Sequence, residues 1–472
     1  MSAVINESHV QQKLLIEEEQ AVQQPQENLV EPNVRIVNEE ITVVGAGYLG
    51  LVVAACFAAK GHHVTCVDSD GLRINRLQSG NCPIYEPGLD EMVRIAMEAE
   101  HLSFTTESAV ALTRASMILL CVGTPSLQDG AVDLSQLVSA VKKIACCSIR
   151  QGIPIVIKST VPVGTAELVE ELLTESGKCG YKVISIPEFI REGTAIVDFM
   201  GSARIVIGAR TQAAAEQVLE LYQPFVREHT RVFIMDNRSA ELTKYAANVA
   251  LAARLSLIND LAKLADALGA DIEHVRRAVG ADPRVGDAYM QPGIGFGGSC
   301  LPKDVRALVR MSHEKGVAPR MAEAILAVNS EQACWFVGKI LCHFGNALTG
   351  RRLTVWGLAF KPGTDDVRES VSLSVIEELL AHGVVVTVYD PRAMVSARTV
   401  LGNRVAYATD MYASLVNSEA IVVATEWEEF IRADLKEIAL IMKGSVVFDG
   451  RNTLNSKRVS EVGLTYIGVG RV

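Results

Sequence analysis

The chain has little that would place it in a membrane, on nucleic acid or in a disulfide-stapled scaffold. No apolar run reaches the about 18 residues of a membrane span, and the start of the chain lacks the basic-then-apolar order of a secretion signal. Aromatic residues make up only 5%. Basic residues are outnumbered, 45 Lys and Arg against 55 Asp and Glu, for a net charge of −10. That balance argues against nucleic acid or an anionic membrane as partner, while a few local cations would still suffice for a small anionic substrate. The ten cysteines include no Cys-x-x-Cys pair and no zinc-type Cys/His spacing. Adjacent Cys146 and Cys147 suit no ordinary disulfide. These absences lead us to expect a cytoplasmic protein with no metal, whose thiols are mostly buried.

What is present is an α/β pattern. Hydrophobic residues make up 49% of the 472, rich in Ala and Val, and the length calls for more than one core. Residues 1–38 are rich in Gln and Glu and read as a poorly ordered tail, with at most a short amphipathic helix around Gln11 to Val22. From Ile41, ITVVGAGYLG, HHVTCVDSD, SMILLCVGTP, IPIVIKST and KVISIPE recur at the spacing of strands alternating with helices. From Ser239 to about Asn329 strands cease, and SAELTKYAANVALAARLSLINDLAKLADALG predicts one extended helix. LTVWGLAFK, VVVTVYDP, AIVVATEW and SVVFDGRN then repeat the first pattern. We expect two Rossmann-like, doubly wound parallel-sheet domains joined by a long central helix and a helical connector. The divisions are 39–235 for the first, 236–330 for the connector and dimerisation region, and 331–472 for the second.

Gly45-x-Gly47-x-x-Gly50 directly follows a strand and opens a helix, and Asp68 ends the next strand. The glycines suit a tight turn, a close-lying pyrophosphate and tight helix packing, and the acid suits ribose hydroxyls. A carboxylate there would repel a 2′-phosphate, so NAD is favoured over NADP. The second motif is GIGFGGSCLPKD, residues 293–304. Its four glycines predict close approach to something bulky. Cys300 would start a helix with Pro302 in its first turn, and the helix terminus with Lys303 nearby would favour thiolate. Lys158, Ser159 and Thr160 end a strand. Glu188 and Glu192 flank PEFIRE, one helical turn apart on this reading. Lys244 and Asn248 share a face of the long helix. Such polar groups at the carboxyl ends of parallel strands are where α/β sheets bind ligands.

Read together, GAGYLGL, PIYEPGL, CVGTP, KSTVPVGT, PEFIREGTA, KYAANVALA, GFGGSCLPKD, LAFKPGTDDVRES and DGRN resemble the UDP-glucose/GDP-mannose dehydrogenase family, in the same order and over nearly the whole chain from Ile41. The resemblance implies a four-electron oxidation of a nucleotide sugar's C6 alcohol by two NAD in succession. Cys300 matches the nucleophile that carries a thiohemiacetal and then a thioester. Lys244 and Asn248 match residues that stabilise the oxyanion. Asp304 matches an acid that positions water, with Thr160 and Glu192 in the same role and Glu188 as a further acid. On the cofactor side the resemblance implies Gly45, Gly47, Tyr48, Leu49, Gly50, Asp68, Arg73, Glu86, Thr124, Thr160 and Lys303. For the substrate it implies Phe189, Glu192, Lys244, Asn248, Gly297, Lys361 and Arg451, with Arg284 reaching across a dimer interface.

PIYEPGL, ADPRVG, ATEWEEF and DGRN resemble the UDP-glucose branch, which would make UDP-glucuronate. SCLPKDVRAL is closer to the GDP-mannose branch, which would run the same chemistry on another sugar nucleotide. The N-acetylated branch usually has His where this chain has Ser299. Ala250 and Arg254 depart from the larger aromatic and the Lys expected there. A catalytically silent sensor of NAD or nucleotide sugar is the alternative from another class, though it would not need Cys300, Lys244, Asn248 and Asp304 together. The family habit implies a homodimer or higher homo-oligomer through the long helix.

Overall fold

The computed structural model describes residues 39–345 and 347–471; the expectations for the 1–38 tail lie outside them. The first sheet holds eight strands, β1 (Glu40–Val44), β2 (His63–Val67), β3 (Leu102–Thr105), β4 (Met117–Leu120), β5 (Pro154–Ile157), β6 (Lys182–Ser185), β7 (Arg204–Gly208) and β8 (Arg231–Met235), in the order β3-β2-β1-β4-β5-β6-β7-β8. Its first six positions are the doubly wound order that reverses between β1 and β4. Every pairing is parallel except β6 with β7, which is antiparallel. MILL and PIVI of β4 and β5 are buried throughout, as strands covered on both faces must be.

The helix Tyr48–Ala58 that leaves the glycine turn is buried at every residue from Gly50 to Ala58. Small residues let it sit deep in the layer. Four aromatic residues gather at its far end, where Phe57 meets Phe199, Tyr222 and Phe225 edge-on at 5.0–5.9 Å between ring centres.

The second sheet has six parallel strands, β9 (Arg352–Trp356), β10 (Val385–Tyr389), β11 (Ala406–Tyr407), β12 (Ala420–Val423), β13 (Val446–Asp449) and β14 (Thr465–Gly468), in the order β11-β10-β9-β12-β13-β14. That is the 3-2-1-4-5-6 arrangement of the first sheet, so the sequence repeat is a structural one.

Between the sheets runs the helix Asn237–Leu268, 32 residues long and so about 48 Å. Asp236 caps it, its carboxylate accepting from Ser239 N at 2.9 Å, and Gly269 ends it at φ 67°. Buried Glu241 fastens it to the first unit by accepting from Gly164 N at 2.7 Å, Ala166 N at 2.9 Å and Ser185 Oγ at 3.1 Å. The helix Arg320–His343 packs its later residues Phe336, Val337 and Ile340 into the second core.

Two expectations fail. All ten cysteines are free, but only Cys56, Cys66 and Cys121 are buried, and five, including Cys300, are exposed. Thiols on helix ends and loops need no burial when no core packs over them, so exposure alone does not single out Cys300. Nor are Glu188 and Glu192 one helical turn apart, because residues 186–191 carry no regular structure. Glu188 is drawn to Lys158 and Arg191 to Asp198, contacts to other parts of the chain that hold the segment extended. Among the described residues no helix is long and apolar enough to cross a membrane, and no group of His, Cys, Asp or Glu is arranged to hold a metal.

Candidate active site

At the end of β1, Gly45 takes φ 106°, and its N–H donates to Val67 O at 2.7 Å. A Cβ at Gly50 would overlap the Gly45 carbonyl oxygen, which explains that glycine by packing alone. A Cβ at Gly47 would meet nothing within 4 Å among the described residues. Protein packing therefore gives no reason for glycine at 47, while a pyrophosphate lying on the first turn of the Tyr48–Ala58 helix does. Asp68, at the end of β2, accepts from Ala46 N at 2.7 Å and pairs with Arg73 at 3.0 Å. Thr124 Oγ1 donates to Thr160 O at 2.8 Å, tying the ends of β4 and β5 beside the turn. The residues present fit a dinucleotide.

Tyr48 and Glu86 have a more specific job than lining this end. The Tyr48 hydroxyl donates to Glu86, and Glu86 also accepts from Gly193 N at 2.6 Å and Ala195 N at 2.7 Å. Glu86 is thus a buried clamp on the loop that carries Glu192. Burial and this carboxylate push the Tyr48 phenol well above its ordinary value.

Cys300 is the N-cap residue of the helix Leu301–Glu314, with Pro302 in its first turn, and it is exposed. Asp304 lies one turn further on, 1% exposed, and accepts from Lys303 Nζ and from Asn248 Nδ2, each at 2.6 Å. Lys303 is therefore held by Asp304 rather than free beside the thiol. Asn248 and Lys244 come from the same face of the long helix, each 7% exposed. No acceptor is hydrogen-bonded to Lys244 Nζ among the described residues, and its neighbour is the Phe189 ring, centred 5.2 Å away and approached by Arg204 as well. Among the described residues no carboxylate pairs with Lys244, and a developing oxyanion would supply the missing counter-charge.

Glu188 is held by an ion pair. It pairs with Lys158 at 2.6 Å, a side chain 1% exposed and set between the Phe199 and Tyr222 rings. Burial opposes the Lys158 charge, but Glu188 outweighs it and leaves the ammonium's pKa raised. Glu192 approaches the thiol through Ser299. Its Oε1 accepts from Ser299 Oγ at 3.1 Å, and Ser299 Oγ is 3.7 Å from Cys300 Sγ. Thr364 and Arg368 of the second unit approach Glu192 at 3.4 and 3.6 Å. Burial first, and then Asp366, push its pKa up to about 7, against the pull of Arg368, Ser299 and Lys361.

The four glycines of the 293–304 loop serve a purpose the sequence did not disclose. A Cβ at Gly297 would overlap the Glu369 carbonyl, one at Gly298 would come within 2.6 Å of the Phe360 ring, and Gly293 abuts Gly450. Gly295 lies against Asn329. The bulky object they approach is the protein itself, chiefly the second unit. Three amides fix the loop: Asn259 accepts from Gly293 N, Gln332 donates to Gly293 O, both at 2.8 Å, and Asn329 brackets Phe296 at 2.8 and 2.9 Å.

Arg451 reaches the same loop, donating to Gly295 O and Ala424 O at 2.9 Å, with its remaining Nη2 buried and without a partner among the described residues. Lys361 sits in the 359–370 loop, and burial lowers its pKa. Arg284 is not brought to this cluster: its side chain is 87% exposed and pairs with Asp282 at 2.6 Å. Its loop is held from the long helix by Arg254, which donates to Val285, Gly286 and Ala288 carbonyls at 2.7–2.9 Å. Sequence reasoning passed over Glu241, the three amides and the contact through Ser299. Only Ser299 had a signal, its place beside the thiol.

A dinucleotide turn, a second nucleotide-type unit and an exposed thiol one helical turn from the buried Asp304–Asn248 pair fit a nucleotide-handling enzyme of the oxidoreductase class. The chain belongs to the UDP-glucose/GDP-mannose dehydrogenase family: models of its NAD binding, central and UDP binding domains match residues 39–226, 238–331 and 354–456. A UDP-glucose 6-dehydrogenase of Pseudomonas aeruginosa is 42% identical over 441 residues, covering 91% of this chain and 97% of that protein. One of Bacillus subtilis is 39% identical, covering 92% and 93%. The solved UDP-glucose dehydrogenase of the archaeon Pyrobaculum islandicum is 38% identical, covers 94% of this chain and 100% of its own, and superposes with a TM-score of 0.86. The cofactor is NAD.

Proposed function

We propose that this chain oxidises UDP-glucose to UDP-glucuronate, with Cys300 carrying the sugar carbon as a thiohemiacetal and then a thioester. The observation that carries the reading is the placement of an exposed thiol on a helix start, one turn from the buried Asp304–Asn248 pair, on the face of the long helix that bears the unpaired Lys244. NAD, held at Gly45 to Gly50 and Asp68, would supply the hydride acceptor for both oxidations. Lys244 and Asn248 would hold the sugar oxygen as it gains charge. Asp304, oriented by Asn248 and Lys303, would position the water that releases the acid. Lys361 and Arg451 of the second unit would contact the sugar nucleotide, with Phe189 lining the approach.

We further infer a homodimer. Leu242, Leu257, Leu264 and Leu268 on the long helix are 47–72% exposed and fall within about 80° of arc at about 100° per residue. A second copy would cover that stripe and could bring Arg284 to its partner's pocket. The free cysteines favour a reducing cytoplasm.

NADH counted against sugar nucleotide consumed tests the reading: about two NADH per UDP-glucose are expected, and Cys300→Ser should lower turnover at least about a thousandfold. Equal rates on GDP-mannose would favour the reading that SCLPKDVRAL supports. Wild-type turnover by Cys300→Ser would rule out the thioester.

A further inference from the structure

The acids around Cys300 differ in what they have left to offer. Asp304 already accepts from Lys303 and Asn248, one on each oxygen. Glu86 is filled by Tyr48, Gly193 and Ala195, and Glu188 is paired with Lys158. Glu192 is the carboxylate among the described residues whose hydrogen bonds lead to the thiol, and they lead there through one atom. Ser299 Oγ donates to Glu192 Oε1 at 3.1 Å, which leaves its lone pairs facing Cys300 Sγ at 3.7 Å, within reach of a thiol hydrogen.

We propose that Ser299 is the proton conduit from Cys300 to Glu192, and so a positioning residue for the nucleophile. The inference rests on the reading of Cys300 as nucleophile. In the capture step the thiol proton moves to Ser299 Oγ as the hydroxyl's own hydrogen moves to Glu192 Oε1. The electron pair left on sulfur forms the C–S bond to the aldehyde carbon. The carbonyl π pair moves onto oxygen, so the negative charge of Glu192 ends on the alkoxide and no proton is left over.

Bound substrate would cover the exposed thiol and remove bulk water as its base, making this internal route the one that remains. Reversal needs no rearrangement. With Glu192 protonated, its O–H donates to Ser299 and Ser299 donates to sulfur.

Several charges set when Glu192 can accept. Asp366, Arg368 and Lys361 face it from the second unit, with the Thr364 hydroxyl beside them. Tyr48 lies near it from the first unit. Their balance, with burial, puts its pKa near 7, where a carboxylate can take a proton and return it.

The test follows alkylation of Cys300 by iodoacetamide from pH 5.5 to 9 in the whole protein, read by mass spectrometry of the Cys300 peptide because other thiols are exposed. Wild type should show an inflection near pH 7, set by Glu192. Ser299→Ala and Glu192→Gln should each lose it, and Ser299→Thr, which keeps a hydroxyl, should retain it. In turnover of UDP-glucose, Ser299→Ala should lower kcat about a hundredfold with little change in KM, and Ser299→Thr should restore most of it. A merely structural serine would not separate Ala from Thr in the pH profile. Ser299→Ala with the wild-type inflection and kcat within about twofold would overturn the proposal. Should wild type make no NADH from any sugar nucleotide while the alkylation pattern holds, the substrate reading fails and the relay stands.

Discussion

The two nucleotide-type units begin with the same turn and put it to different uses. Gly45 and Gly357 take φ values of 106° and 98°. Each donates its N–H across to the neighbouring strand, to Val67 O at 2.7 Å and Tyr389 O at 2.8 Å. Each turn is then met by an acid ending the second strand, Asp68 or Asp390. In the first unit a helix starts at once, at Tyr48, and residue 47 is left bare toward open space. In the second, Ala359 stands after the turn and the helix waits until Val371. The intervening loop carries Lys361, Thr364, Asp366 and Arg368 to Glu192. The acids diverge too. Asp68 accepts three hydrogen bonds, one of them from Arg73. Asp390 accepts five, from the N–H groups of Leu358, Ala359, Arg392, Ala393 and the Trp427 indole, and is 2% exposed. One fold element is thus left open beside Gly47 where it is unfinished, and becomes a structural knot that projects a loop toward Glu192 where it is completed.

The sharpest way to break that comparison is Gly47→Val. The backbone there is extended, with φ −77° and ψ −169°, and the protein leaves room for a side chain. The variant should fold with a melting temperature within about 2 °C of wild type, yet lose NAD affinity by about a hundredfold or more, because the side chain fills the space of the pyrophosphate. Calorimetry with NAD reads it. Retained NAD binding would mean that the open space beside Gly47 is not the cradle.

Second in size is the pair Asp390→Ala and Asp68→Ala. Removing Asp390 strands five donors, three of them in buried hydrogen bonds, and should destabilise the second unit by about 3 kcal/mol, leaving the NAD dissociation constant of the folded protein unchanged. Removing Asp68 should cost under about 1.5 kcal/mol, weaken NAD about tenfold and narrow its advantage over NADP. Denaturant titration beside cofactor titration separates the two. Equal stability losses would erase the distinction between cradle and knot.

Much of this was legible in the sequence where a signal is local. The strand–turn–helix around Gly45, the acid 23 positions on at Asp68 and the shared helix face of Lys244 and Asn248 all follow from spacing. So does the helix start at Cys300, announced by Pro302. What was not legible depends on pieces far apart in the chain. Nothing near Gly297 says that it abuts Glu369, or that Ser299 meets Glu192 across 107 residues. Glycines that fit a ligand and glycines that fit another domain look the same in sequence. The helical reading of PEFIRE failed for a related reason: Glu188, Arg191 and Glu192 are drawn to Lys158, Asp198 and the second unit through contacts that no periodicity encodes.

The smallest effect tests the seam where the units meet. Glu192 belongs to the first unit, and its pKa is raised from 4.5 to about 7 by burial and by Asp366 of the second. The folded protein therefore holds a proton that the unfolded chain has released between those values. The sign follows: stability is full below pH 4.5, falls as pH rises toward 7, and stays reduced above it. Glu192→Gln carries the shape of the neutral acid at every pH. It should melt about 2–6 °C above wild type at pH 8 and converge with it near pH 4.5, while losing turnover. The same substitution would then stabilise the seam and silence the site, the trade expected where a catalytic carboxylate is kept charged in a buried place. A melting difference that ignores pH would show that burial and Asp366 do not hold a proton on Glu192 in the folded state.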